Sequence, residues 1–334
     1  MAIRIAINGF GRIGRSVFRI VSADPRFDVV AINDIADPGV LAYLLKYDTV
    51  MGRFLLPSRV EGDMLYAGIQ DVKMTRIASL DKLRWADLGV EVLVESTGRY
   101  RRRHELEKHL KAGAKRVILT VPAKDEIDAT IVLGVNEGTL RPEHRIISNA
   151  SCTTNCLAPI VKVLHGAFGI EKGIMTTVHA YTNDQRLADV PHSDWRRSRA
   201  AAENIIPTET GAARAVGKVL PELAGKLDGV AMRVPVPDGS IVDLVTIMSR
   251  PVTVEEVNEV VRSAATSHLK EIVEYCEDPI VSGDVIGNSH SAIFDALSTQ
   301  VLRGTYLKTV AWYDNEWGYA CRVAQLTLRL AAMG

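Results

Sequence analysis

The feature that most constrains this chain lies at its start. The apolar run Ile3–Ile7 leads into Gly9-Phe10-Gly11-Arg12-Ile13-Gly14, and a helical pattern covers Arg12–Ser22. Three glycines at G-x-G-x-x-G spacing carry little alone, but between a strand and a helix they form a dinucleotide turn. Glycine lets the backbone turn tightly and approach a pyrophosphate, whose charge the helix N-terminus favours. A second apolar run ends at Ile32-Asn33-Asp34, which puts Asp34 34 − 14 = 20 positions beyond Gly14. A carboxylate there accepts hydrogen bonds from ribose hydroxyls and repels a 2′-phosphate, so NAD is expected rather than NADP.

Apolar runs bounded by turn residues recur at Val29–Ile32, Val90–Val94, Val117–Val121, Ile131–Val135 and Arg145–Ile147, with a further helical pattern at Arg103–Ala112. This alternation predicts a doubly wound (Rossmann) α/β domain. The second half reads differently. Strands are expected at Ile174–His179, Gly229–Val234, Ser240–Met248 and Thr309–Trp312, with helices at Thr154–Phe168, Gly211–Leu220 and Val254–Ser267. Thr253 is placed to cap the last of these. Strands with fewer helices predict an α+β domain on a largely antiparallel sheet. The expected division is 1–151 for nucleotide binding, completed by a C-terminal helix within 317–334, and 152–316 for catalysis. A chain of 334 residues has room for both.

Ser151-Cys152-Thr153-Thr154-Asn155-Cys156 opens the helix at the expected domain seam. A cysteine at a helix N-terminus is expected to have its thiolate stabilised and its pKa lowered. His179 ends the run Ile174–Val178, where it is placed to serve as base for Cys152 across 27 positions. Cys156, one turn beyond Cys152, is read as a buried small hydrophobe. The spacing of histidines and cysteines gives no zinc pattern, so no metal is expected.

Lys plus Arg and Asp plus Glu both number 40, which excludes a general electrostatic attraction to nucleic acid or anionic lipid. The opening residues run directly into a strand and no apolar stretch reaches membrane-spanning length, so a cytoplasmic setting is expected.

Taken in order, these segments resemble the phosphorylating glyceraldehyde-3-phosphate dehydrogenases over essentially the whole chain. The match runs through Ile7–Arg15, Leu44–Asp48, Ser148–Cys156, Thr177–Gln185, Arg196-Arg197, Pro207–Ala213, Arg233-Val234-Pro235 and Trp312–Glu316. The resemblance implies that Cys152 forms a thiohemiacetal and then a thioester, with His179 as base, NAD as oxidant and inorganic phosphate as the attacking group. It assigns Thr182, Asp184 and Arg233 to the substrate's own phosphate. Ser151, Thr153, Thr210, Gly211 and Arg197 go to the attacking phosphate, and Thr120, Asn315 and Tyr319 join the glycine segment around the cofactor. Ile35 and Pro191 stand where NADP-using relatives carry small polar residues. The segment from about Thr182 to Asn204 resembles a loop that reaches a neighbouring subunit's cofactor, which implies a homotetramer. Arg99-Tyr100-Arg101-Arg102-Arg103 departs from the pattern by its basic charge, and Ala188 and Trp195 are also atypical. The rival readings are a hydrolytic erythrose-4-phosphate dehydrogenase, a biosynthetic semialdehyde dehydrogenase and a nucleotide-binding relative without catalysis.

Overall fold

The computed structural model describes residues 2–333 and resolves into two compact units. The first comprises Met1–Ile131, Gly138–Ser151 and Ala320–Gly334; the second comprises Val132–Glu137 and Cys152–Tyr319. The C-terminal helix starts in the second unit and continues in the first.

The elements of the first unit are β1 (Ile3–Asn8), α1 (Arg12–Val21), β2 (Phe27–Asn33), α2 (Pro38–Lys46), β3 (Ser58–Glu61), β4 (Met64–Ala67), β5 (Gln70–Thr75), β6 (Val92–Glu95), α3 (Arg103–Lys111), β7 (Arg116–Leu119), β8 (Ala129–Thr130) and β9 (Ile146–Ser148). They build a nine-stranded sheet in the order β3-β4-β5-β2-β1-β6-β7-β9-β8. Every pair from β5 to β8 in that order is parallel. The chain leaves β1 for β2 on one side and later returns to β6 on the other. That reversal is where ligands bind open α/β sheets, beyond the carboxyl ends of the strands. The parallel core strands are buried on both faces, which is why they read as continuous apolar runs rather than alternating ones. The antiparallel ribbon β3-β4-β5 was not foreseen from the sequence. Its alternation of buried and exposed residues is short and is interrupted by two turns.

The second unit contains α4 (Cys152–Phe168), β10 (Ile170–Ala180), β11 (Ile206–Glu209), α5 (Ala212–Val219), β12 (Leu227–Val234), β13 (Ser240–Met248), α6 (Val254–Thr266), β14 (Val273–Cys276), β15 (Ala292–Leu302), β16 (Tyr306–Tyr313) and the first residues of α7 (Trp317–Ala331). Its sheet order is β11-β12-β10-β13-β16-β15-β14, antiparallel except at β10–β12 and β14–β15. Thr253 caps α6 through Glu256 N–H at 3.2 Å, and Glu256 returns a bond to Thr253 N–H at 2.9 Å.

One expected strand does not form. Of Ile131–Val135 none is strand; pairing stops at Thr130. Gly134 takes φ +82°, which ends extended backbone, and Asn136 Oδ1 accepts Val132 N–H at 2.8 Å in place of a ladder partner. Ile131 and Val132 are nevertheless fully buried, so the apolar run reports burial without strand geometry. No helix among the described residues is long and apolar enough to cross a membrane.

Candidate functional site

In the first unit the loops after β1, β2 and β6 are held by one another. Gly9 adopts φ +91°, and a Cβ there would lie 2.7 Å from Thr97 N. A Cβ on Gly14 would lie 2.2 Å from Gly9 O, so both positions require glycine for close packing. Gly11 differs: a Cβ there meets no atom within 4 Å. Its bare backbone faces open space at the start of α1, and no side chain caps that helix. This cradle suits a pyrophosphate. Asp34, one residue past β2, accepts Phe10 N–H at 2.7 Å and Ala36 N–H at 3.0 Å, which fixes its carboxylate beside the glycine turn. The residues present fit an NAD-type dinucleotide. Arg12 turns to Asp48 through two bonds of 2.9 and 3.1 Å, while Ile13 is half-buried in the same helix. Thr120 donates its hydroxyl to Glu95 O at 3.1 Å, at the end of the neighbouring strand. Ile35 is 69% exposed.

The basic run is mostly structural. Arg101 bonds Pro122 O through two nitrogens, Arg103 grips Asp128 at 2.6 and 2.8 Å, and Arg99 lies over the Tyr100 ring.

In the second unit α4 begins at Cys152, just after Ala150, whose φ of 56° turns the chain out of β9. A left-handed non-glycine residue costs roughly 1–2 kcal/mol. Cys152 Sγ stands 3.5 Å from His179 Nε2. His179 lies near the end of β10 and pairs in parallel register with Arg233 on β12, so their side chains share a face. His179 Nδ1 lies 2.7 Å from Ala180 O, an acceptor for its proton that leaves Nε2 bare toward Cys152. Arg233 Nη1 lies 2.7 Å from the same Nδ1 and reaches Ala180 O at 3.0 Å and Thr182 Oγ1 at 3.5 Å; its buried Nε has no protein partner. Thr182 donates its hydroxyl to Asp184, and Arg197 bonds the same carboxylate as well as Thr208 Oγ1 at 3.0 Å. Thus Thr182, Asp184, Arg197 and Arg233 form one connected group beside His179.

The remaining residues sit differently. Thr153 is buried, and its hydroxyl meets Tyr313 OH at 2.9 Å and hydrogen-bonds Cys152, facing the nucleophile instead of open space. Thr210 Oγ1 accepts Ala212 N–H at 3.2 Å, and Gly211, the cap of α5, has open space where a Cβ would be. Ser151 is half-buried immediately ahead of Cys152. Asn315 accepts Ser240 Oγ–H at 2.6 Å and is buried, as is Tyr319. Cys156 is fully buried, with Ala311 O its nearest polar neighbour at 3.8 Å.

The expectation of a lowered thiol pKa is overturned. Burial pushes the Cys152 thiol up to about 11, against smaller lowering effects from Arg233 and Thr153. Burial, reinforced by Arg233, pushes the His179 imidazole down to about 3. Position at a helix start was legible in the sequence; the packing around the thiol was not. Both shifts favour the uncharged forms, a thiol and a neutral imidazole. Asp184 is held below the usual carboxylate range: burial works against this, and Thr182, Arg197 and Arg233 outweigh it.

Tyr313 was missed. Its hydroxyl bridges Thr153 and Thr177, each at 2.9 Å, and its ring meets His179 edge-on at 5.9 Å. The signal was present in Trp312–Glu316, where only Asn315 drew attention.

A glycine-turn nucleotide unit carried in one chain with a cysteine–histidine pair and neighbouring arginines has the features of a nucleotide-dependent dehydrogenase. Residues 3–103 match the family described as glyceraldehyde 3-phosphate dehydrogenase, NAD binding domain, and residues 151–315 match its C-terminal domain. The chain belongs to the glyceraldehyde-3-phosphate dehydrogenase family. It is 54% identical to the glyceraldehyde-3-phosphate dehydrogenase of Geobacillus stearothermophilus over 335 residues, covering 100% of both chains. It is 53% identical to glyceraldehyde-3-phosphate dehydrogenase 1 of Bacillus subtilis (strain 168), again over 100% of both. Against the enzyme so named from Borreliella burgdorferi the identity is 55%, covering 98% of this chain and 99% of the relative.

Proposed function

We propose that this chain oxidises D-glyceraldehyde 3-phosphate to 1,3-bisphosphoglycerate with NAD and inorganic phosphate. The observation that carries the reading is the Cys152–His179 contact of 3.5 Å with Arg233 and Arg197 beside it. Cys152 Sγ bonds the aldehyde carbon, and the thiol proton passes by way of His179 Nε2 to the carbonyl oxygen, giving a thiohemiacetal. NAD, held around Gly9–Gly14 and Asp34, supplies the two-electron acceptor. His179 removes the hydroxyl proton of the adduct as that adduct becomes a thioester. A phosphate oxygen then attacks the acyl carbon, the C–S bond breaks, and the Cys152 thiolate leaves.

Arg233 with Thr182 and Asp184 would hold the substrate's phosphate, and Arg197 with Ser151, Thr153, Thr210 and Gly211 the attacking one. The guanidinium fork suits phosphate oxygens, and the unpartnered Nε of Arg233 leaves a donor for the ester. A cytoplasmic homotetramer belongs to the same reading. It draws support from the exposed Leu187 and Trp195 in the loop expected to meet a neighbouring subunit. The relatives compared carry the glyceraldehyde-3-phosphate name, which does not favour a hydrolytic erythrose-4-phosphate enzyme.

The test is NADH absorbance with glyceraldehyde 3-phosphate and NAD, with and without inorganic phosphate. Sustained turnover only with phosphate is expected; sustained turnover without it would mean that water resolves the thioester.

A further inference from the structure

The first unit buries a carboxylate that the chemistry above does not use. Glu95 ends β6 and is fully inaccessible, as is His109 on α3. Glu95 Oε2 accepts Asn8 Nδ2–H at 2.6 Å and faces His109 Nε2 at 3.0 Å. Glu95 Oε1 accepts Thr97 N–H at 2.9 Å and the Thr97 hydroxyl.

The donors fix the protonation. Trp85 Nε1–H, which can only donate, reaches His109 Nδ1 at 3.2 Å, so Nδ1 is bare and the ring proton sits on Nε2. His109 is therefore a neutral donor to Glu95. All four groups around Glu95 donate to its two carboxyl oxygens, so every contact it makes fixes its position.

This carboxyl group ties the cofactor loops together. Asn8, the last residue of β1, accepts Asn33 Nδ2–H from the end of β2 at 2.8 Å. Asn33 Oδ1 in turn takes Thr75 Oγ–H at 2.8 Å and Ile77 N–H at 2.9 Å beyond β5. Gly9 N–H bonds Asn33 O at 2.7 Å, and Ser96 Oγ–H bonds Gly9 O at 2.6 Å. We propose that Glu95, through Thr97 and Asn8, is a positioning residue for NAD: it fixes the Gly9 and Thr97 loops before the dinucleotide arrives. The proposal rests on the reading that this unit binds NAD at the glycine turn.

The experiment is isothermal titration of NAD into nucleotide-free protein, with kcat and the KM for NAD measured alongside. Glu95→Gln keeps shape but turns one acceptor into a donor facing donors. It should weaken NAD binding roughly tenfold or more and raise the KM for NAD, with a much smaller change in kcat at saturating NAD. Thr97→Val removes the hydroxyl from an exposed residue without unsettling the core, and Thr97→Ser restores it. The valine variant should bind NAD more weakly and the serine variant should recover, which keeps the test available if Glu95→Gln does not fold. Wild-type affinity in folded Glu95→Gln, or in Thr97→Val, overturns the proposal. Failure of the wild-type protein itself to bind NAD would overturn the nucleotide reading instead.

Discussion

Glu95 and His179 are both buried ionisable groups, the second beside a half-buried Cys152, and they are treated in opposite ways. Around Glu95 every neighbour donates, and Asn8, Thr97 and His109 satisfy both oxygens. Around Cys152 burial pushes the thiol up to about 11 and the imidazole down to about 3, and Arg233 keeps a buried nitrogen without a partner. A satisfied network holds one geometry and has no cause to react. An under-satisfied one is unstable to the arrival of a ligand that completes it, which is what a nucleophilic site needs. The first unit thus provides a fixed seat, and the second holds the groups that change protonation.

The largest expected effect sharpens that contrast on the reactive side. Cys152→Ser should lower kcat by at least about 10³-fold, since the thioester cannot form. His179→Asn should lower it by roughly 10²–10⁴-fold, as for loss of a general base. Steady-state rates with saturating NAD and phosphate check both, and near-normal turnover in either variant would remove the pair from the mechanism. Next comes the rigid side. Gly14→Ala puts a methyl 2.2 Å from Gly9 O, where only backbone can yield. A loss of NAD affinity of about tenfold or more is expected by calorimetry; unchanged affinity would show that the turn is softer than its packing implies.

A test on stability instead of turnover asks whether the second unit also carries a strained acid. Asp238 is buried, and one of its oxygens receives no protein donor. Burial first, then Asp314 and Glu316, push Asp238 up to about 9 from an ordinary 3.8. The folded chain therefore keeps a proton that the unfolded chain releases. That contribution to stability is full below about pH 4 and is lost as pH rises toward 9. Asp238→Asn has no such proton, so wild type should lose stability relative to it over that window, by at most about 1.4 kcal/mol per pH unit. Melting curves from pH 5 to 9 decide this, and parallel Tm profiles would mean that Asp238 does not hold the proton.

The fold was legible where a pattern is local. Glycine spacing, the apolar runs of β1, β2 and β6, and the Thr253 cap need only neighbours along the chain. The run Ile131–Val135 misled because buried irregular backbone and buried strand share a composition, and Gly134 with Asn136 decided between them. In the site, Cys152 and His179 could be named from their places at a helix start and a strand end. Tyr313 could not, because its role comes from two threonines, 160 and 136 positions away in sequence.

By itself, then, the sequence determined the residue types and their short spacing: a glycine turn followed by Asp34, a cysteine at a helix start, a histidine at a strand end, and arginines further along. The tertiary structure alone decided that Sγ lies 3.5 Å from Nε2, that Arg233 shares a face with His179, and that His109 donates to Glu95 from Nε2. It also decided the direction of each pKa shift. Dielectric, register and tautomer are set by what packs around a group in space, and residues far apart in the chain supply most of that packing.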